Sequence, residues 1–266
     1  MLTNFHTHTT FCDGKNTPEE VVLRAIEQGF TALGFSGHGY TEFDPNYCLR
    51  DTEGYIQEIR RLQETYRDKL KIYLGIEEDL LSPVNRRDYA YMIGSSHYLL
   101  VDGKYYSVDS GVQSFHRCMK LFGGDVLAYA DRYYSVFCDY ILRRKPDIVG
   151  HFDLITKFDE MEQSYFLENA AYLDLAEGYL LKAMESDAIF EVNTGAISRG
   201  YRKSVYPCLR LLHLLKKHDA KIILSSDSHS ADTLDFCFAE TKQLLRDVGF
   251  DHMYTLSDDG FVKAAL

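Results

Sequence analysis

Imidazoles and carboxylates recur at alternate positions at the two ends of this chain: His6 and His8, followed by Asp13, near the start, and Asp227 and His229 near the end. Along an extended strand alternate side chains share a face, so each pair is expected to present two metal-ligating groups on one side. Pairs so far apart in sequence suggest one site closed by the fold. A lone H-x-H is weak evidence, since a strand-end histidine can also cap a helix or satisfy a buried carbonyl. What decides is where the remaining candidates fall.

Short apolar segments alternate with helical patterns. Residues 2–7 read as a strand; Thr17, Pro18, Glu19 and Glu20 then supply an N-cap, a proline at the first helical position and early acids for a helix ending near Gly29. Further strands are expected at 32–36, 71–76, 91–95, 148–150, 189–193 and 221–225. Helices are expected over about 53–67, 113–122, 125–143, 164–186, 207–217 and 234–245, and residues 98–146 form the longest stretch between strands. About seven strand–helix repeats, with no linker and no nucleotide-binding glycine turn, imply a parallel sheet closed into a distorted barrel. The class is α/β, with a single domain over 1–266.

In such a barrel the C-terminal strand ends form the rim that hosts chemistry. The candidates fall there: His6 and His8 on the first strand, His38 after the second, Glu77 after the third, His97 after the fourth, His151 after the fifth, Asp227 and His229 after the seventh. With Asp13 these make nine N/O ligands, too many for one tetrahedral ion but suited to two or three divalent ions bridged by carboxylates. His116, His213, His218 and His252 lie in expected helices or near the C-terminus and read as surface or core residues. Without a cysteine pair, the set favours a hydrolytic site of Zn, Mn or Fe type over a structural zinc.

Bulk properties narrow the partners. A net charge of -11, from 29 Lys and Arg against 40 Asp and Glu, gives an average surface that repels nucleic acid and anionic membranes. The 45% hydrophobic and 26% charged residues describe an ordinary globular chain. Six scattered cysteines with no C-x-x-C read as reduced thiols, and neither a leader-like N-terminus nor a membrane-length apolar run is evident. A cytoplasmic protein, with neither nucleic acid nor membrane as a partner, is expected; its oligomeric state is not legible.

The order H-x-H, D-G, G-H, G-x-E, G-S-x-H, G-H-x-D-L, E-x-N-T and a final S-D-x-H resembles the polymerase and histidinol phosphatase (PHP) family over nearly the whole chain. That resemblance implies a distorted (β/α)7 TIM-like barrel holding three divalent ions. Gly94-Ser95-Ser96-His97, Gly150-His151-Phe152-Asp153-Leu154 and the stretch from Glu191-Val192-Asn193-Thr194 to Arg199-Gly200-Tyr201 look like the family's stand-alone histidinol-phosphate phosphatases. Those enzymes hydrolyse L-histidinol phosphate to L-histidinol and phosphate in histidine biosynthesis. Carried over motif by motif, the resemblance gives His6, His8, Glu77 and Asp227 to one metal. Bridging Glu77 with His97 and His151 goes to a second, and Asp13, His38 and His229 to a third. Two departures are Asn4, where many members have Asp, and Cys12, where many have Ser.

A metal-activated hydroxide would be the nucleophile, since bound water is acidified to a pKa of roughly 7. Glu77, Asp227, His229 and Arg199 are the expected catalytic group. Arg199 is also the expected phosphate ligand because its planar fork matches two oxygens, with Lys157 as a second candidate acting as a point charge. A metal-bound water or His229 would serve the leaving group. For the imidazole and ammonium of histidinol the long loop offers Tyr105, Tyr106, Phe115, Tyr129, Tyr133 and Tyr134, with Asp102 and Asp109. Three rival readings are a family phosphoesterase acting on a nucleotide or other small phosphate ester, an amidohydrolase-type hydrolase, and a catalytically silent metal-binding module.

Overall fold

Local signals in the chain set the first elements of the fold. The computed structural model describes residues 1–161 and 164–266. After a short β1 (Thr3–Asn4), α1 (Pro18–Glu27) opens with a reciprocal capping box: the Glu20 amide donates to Thr17 Oγ1 and the Thr17 amide to Glu20 Oε2. Then come β2 (Ala32–Phe35), α2 (Thr52–Thr65) capped by Asp51, β3 (Lys71–Asp79), β4 (Tyr91–Ser95), β5 (Tyr98–Val101) and β6 (Lys104–Ser107). They are followed by α3 (Val112–Leu121), α4 (Val126–Arg144) capped by Asp125, β7 (Ile148–Val149), α5 (Ala170–Met184), β8 (Ile189–Asn193) and α6 (Gly195–Ser198). The chain ends with α7 (Leu209–Lys217), β9 (Ile222–Ser225), α8 (Phe238–Val248), β10 (His252–Ser257) and β11 (Gly260–Ala265).

Seven strands pair in parallel in the order β1-β2-β3-β4-β7-β8-β9. The two ends of this sheet meet through the Thr7–Ser228 bridge, where the His8 amide donates to Ser228 O at 2.8 Å and the Ser228 amide to His6 O at 3.1 Å. This is the expected distorted (β/α)7 barrel. Side chains alternate as the pleat demands. Tyr73, Ile93, Ile148, Ile189 and Ile223 join Phe5 in the inner core, while Ile72, Met92, Val149, Phe190 and Ile222 pack outward under the helices. Glu77, Ser95 and Glu191 continue the inward-facing positions of β3, β4 and β8, above that apolar layer.

Close packing explains one motif glycine. A Cβ on Gly75 would lie 2.3 Å from Cζ of Tyr91, whose ring fills the barrel and whose hydroxyl donates to Phe5 O at 2.6 Å. The glycine of G-x-E thus makes room for the ring beside which Glu77 is presented.

Several sequence expectations shift. The first strand shrinks from residues 2–7 to Thr3–Asn4, because beyond Asn4 only the isolated Thr7 bridge continues it. The third strand runs to Asp79, so Glu77 lies within it. Asp227 is not in an extended strand: its φ is +48°, and the turn this creates, not strand alternation, turns Asp227 and His229 to the same site. The helix expected from residue 164 begins at Ala170. The Asp159 carboxylate accepts the amides of Tyr165, Phe166 and Leu167, which holds that stretch as a loop before Asn169 caps the helix. The β5–β6 hairpin was not anticipated, nor was the β10–β11 hairpin, whose Leu256 closes the inner core from the end opposite the site. Among the described residues no helix is long and apolar enough to cross a membrane.

Candidate metal centre

All nine expected ligands converge on the C-terminal rim, and Glu77 stands at their centre. Its Oε2 lies 3.2 Å from His6 Nε2, 3.5 Å from His8 Nε2 and 2.8 Å from His38 Nδ1. Its Oε1 faces His97 Nε2 at 3.0 Å and His151 Nε2 at 3.1 Å, and accepts from Ser95 Oγ at 2.7 Å. Asp227 Oδ1 lies 3.5 Å from His6 Nε2 and 3.2 Å from His8 Nε2. Asp13 reaches His229 Nε2 at 3.2 Å through Oδ2, and His38 Nε2 at 3.7 Å through Oδ1. Four sets of donors gather closely enough to share an ion: His6, His8 and Asp227; His6, Glu77 and His151; His38, Glu77 and His97; His8, Asp13, His38 and His229.

Seven of the nine donors are buried, Asp13 and His229 being the two that reach solvent, and several are otherwise unused. His6, His8, His151 and Glu77 are each at most 1% exposed. Among the described residues, His6 Nε2, His8 Nε2, Glu77 Oε2 and Asp227 Oδ1 have no hydrogen-bond partner although all four are buried. Leaving such atoms unpaired is costly, so a convergent group of them is what a cation-binding cavity requires. The nitrogen and carboxylate donor set is of a kind that binds divalent first-row metals such as Zn.

Electrostatics reflects this crowding. Burial alone would raise the Glu77 carboxyl, but His6, His38 and His97 hold it well below the usual range. Asp227 is likewise held low against burial, chiefly by Arg199 and His6. Burial opposes charge on His6, yet Glu191, Glu77 and Asp227 outweigh it and raise its pKa. His8 goes the other way, down to about 3, through burial and the neighbouring His229 and His38.

Supporting residues fix the ligands. Glu191 Oε1 meets His6 Nδ1 at 2.6 Å, while Oε2 accepts the His151 amide and Asn193 Nδ2. A carboxylate behind an imidazole selects the tautomer that leaves the other nitrogen free for an ion. Asp79 accepts the His97 amide at 2.8 Å, and Asp109 Oδ1 lies 3.5 Å from His97 Nδ1. Asn4 accepts the amides of His6 and Ser226 on Oδ1 and donates to Ser226 Oγ, which ties β1 to the end of β9. Cys12 Sγ lies 3.5 Å from His8 Nδ1.

A cavity of about 270 Å³ opens above the cluster, and both expected cations line it. Arg199 donates through Nη2 to Asp227 Oδ2 at 2.8 Å and through Nη1 to Asp227 O at 2.9 Å. Gly195 permits this approach, since a Cβ there would lie 2.9 Å from Arg199 Nη2 and from Asp227 Oδ2. Lys157 donates to Asp109 Oδ2 at 3.0 Å. Of the aromatic candidates, Phe115, Tyr129, Tyr133 and Tyr134 are buried in the core, and Tyr105 stacks on Phe43 at the surface, 46% exposed. None of these, nor Tyr106 or Asp102, is among the cavity's lining residues, whereas Asp109 is. In their place Tyr47, Tyr98 and Asp44 form a wall that sequence reading missed.

Known proteins resemble this chain in sequence and in fold. A PHP domain model matches residues 4–195. A Bacillus subtilis histidinol-phosphatase is 25% identical over 261 residues, covering 88% of this chain and 95% of its own. A Schizosaccharomyces pombe protein named probable histidinol-phosphatase is 27% identical over 272 residues, covering 94% and 87%. The structure of a Lactococcus lactis histidinol phosphate phosphatase, complexed with zinc, L-histidinol and phosphate, superposes with a TM-score of 0.72 at 21% identity, covering 98% of each chain. The matched model spans most of the barrel and takes in seven of the nine clustered ligands, from His6 to His151; the chain belongs to the PHP domain family.

Proposed function

We propose that this protein is a metal-dependent histidinol-phosphate phosphatase, hydrolysing L-histidinol phosphate to L-histidinol and phosphate in histidine biosynthesis. The observation that carries the reading is a cavity floored by nine clustered N/O donors, several buried and unpartnered, and walled by Arg199. Full-length similarity to histidinol-phosphatases supplies the substrate. The whole chain acts as one cytoplasmic domain in this reading.

Three divalent ions, Zn, Mn or Fe, would be held by His6, His8, Glu77 and Asp227; by Glu77, His97 and His151; and by Asp13, His38 and His229. When bound, they supply an acidified water and neutralise charge on the phosphoryl oxygens. Arg199 keeps one side of its guanidinium on Asp227 and turns toward the cavity that would receive the phosphoryl group, where a fixed cation stabilises developing charge. Its own charge is secure: burial would lower its pKa, but Asp227 raises it. Lys157, held by Asp109, adds a second positive charge to the same wall. His229 lines the cavity beside Arg199 and Asp13; with Nε2 facing Asp13 and Nδ1 facing Arg199 and Asp227 O, it fits the third site as a ligand and not as the proton donor to the departing alkoxide.

Phosphate release from L-histidinol phosphate should exceed that from mononucleotides by at least about 100-fold in kcat/KM, as expected when polar groups read the alcohol. Equal rates on both would replace this reading with a general small-ester phosphatase.

A further inference from the structure

Every cation on the cavity wall already has a carboxylate: Arg199 binds Asp227 and Lys157 binds Asp109. Asp44 is different. It lines the same cavity from the loop between β2 and α2, and among the described residues no ion pair engages it. Its Oδ2 accepts the Tyr98 hydroxyl at 2.5 Å and its Oδ1 accepts the Asn46 amide at 3.2 Å. Both donors are neutral, so they fix the carboxylate in place without cancelling its charge.

The surroundings favour a flat, nitrogen-bearing guest. The Tyr47 ring lies 4.7 Å from that of His38 and 5.7 Å from that of Tyr98, and among the described residues its buried hydroxyl has no hydrogen-bond partner. A fixed carboxylate attracts a cation and repels a second anionic group such as a further phosphate. A charge-assisted hydrogen bond to an ammonium is among the stronger polar contacts available, and an idle phenol beside it can serve a ring nitrogen.

We propose that Asp44, oriented by Tyr98 and flanked by Tyr47, is the subsite for the ammonium group of an amino-alcohol phosphate, so that this wall selects cationic alcohols. The inference rests on the phosphatase reading above and deepens it by assigning the residues that read the leaving alcohol.

The test compares L-histidinol phosphate with its deaminated analogue, 3-(imidazol-4-yl)propyl phosphate. In Asp44→Asn the kcat/KM ratio of the amine ester to the analogue should fall about 10- to 100-fold, as for one lost hydrogen bond to a charge. The loss should be mostly in KM. Asp44→Glu should retain part of the preference, and Tyr98→Phe should shift the ratio the same way by less. An unchanged ratio in Asp44→Asn, or a wild type that does not prefer the amine ester, would overturn the subsite. Aminoethyl phosphate against ethyl phosphate separates the two levels. If histidinol phosphate proves a poor substrate the phosphatase assignment fails, while the subsite still stands or falls on whether Asp44→Asn erases a preference for the aminoethyl ester.

Discussion

At the scale of single residues, the cluster depends on groups that never need to touch an ion. His6 leans on Glu191 at 2.6 Å, a contact that fixes which ring nitrogen faces Glu77 and Asp227. Replacing that carboxylate by an amide keeps the shape and an acceptor for the His151 amide but removes the charge that favours the required tautomer. Glu191→Gln should therefore weaken metal binding by about 10- to 100-fold. Competition with a chromophoric chelator measures this without recourse to activity, and unchanged affinity would contradict the role given to Glu191. Residue types made the cluster legible, since histidines and carboxylates at successive strand ends have one natural meeting point. Glu191 was visible two positions before Asn193 on an inward-facing strand, yet nothing in spacing distinguished a support from a ligand. Asp109 stood out only as one of several loop candidates, and Asp44 not at all. Their places depend on how a hairpin and a long loop fold over the rim, and such tertiary packing leaves no periodic trace.

At the scale of elements, the strands act as rails that present ligands at a common height. Glu77 is delivered two residues beyond Gly75, where the Tyr91 ring leaves no room for a side chain. Gly75→Ala would force either the ring or β3 to move, an overpacking that costs about 1–3 kcal/mol. Urea denaturation should show that loss, and metal affinity should fall with it because Glu77 shares the displaced strand. Adding Tyr91→Val, which removes the ring, should restore part of the stability, and the two changes should not be additive. Simple additivity would mean that the contact is not the source of the strain. The helices capped by Thr17, Asp51 and Asp125 were readable because capping signals are local. The β5–β6 hairpin had a readable signal too: Asp102-Gly103, both with positive φ, joins Tyr98–Val101 to Lys104–Ser107 as a two-residue turn. Residues 98–112 read instead as part of a long loop ahead of the helices expected at 113–122 and 125–143. The loop around Asp159 could not be foreseen, because one buried carboxylate overrides a helical pattern only once the chain is folded.

At the scale of the whole molecule, the barrel gathers six imidazoles and three carboxylates at one end while the β10–β11 hairpin seals the other, so folding and metal binding are coupled. The coupling has a sign that changes with the ligand state. In metal-free protein His6, His38 and His97 have raised pKa values, because the carboxylates Glu191, Glu77, Asp13 and Asp109 outweigh burial. Their ordinary value is about 6.5. A raised histidine contributes stability that is fully present below its unfolded pKa and is lost as pH climbs through its folded value. His8, held down at about 3, works against folding below about 6.5 but is neutral in both states above it, so it does not offset the trend there. Chelated protein should therefore lose stability as pH rises above about 6.5. Metal-loaded protein should not follow, because an ion competes only with protons and prefers the neutral imidazoles that higher pH supplies. Thermal unfolding from pH 6 to pH 8.5, with and without chelator, should show the gap between the two forms widening with pH. Parallel profiles would mean that the rim histidines do not exchange protons for metal, and the reading of the barrel end as a metal centre would fall.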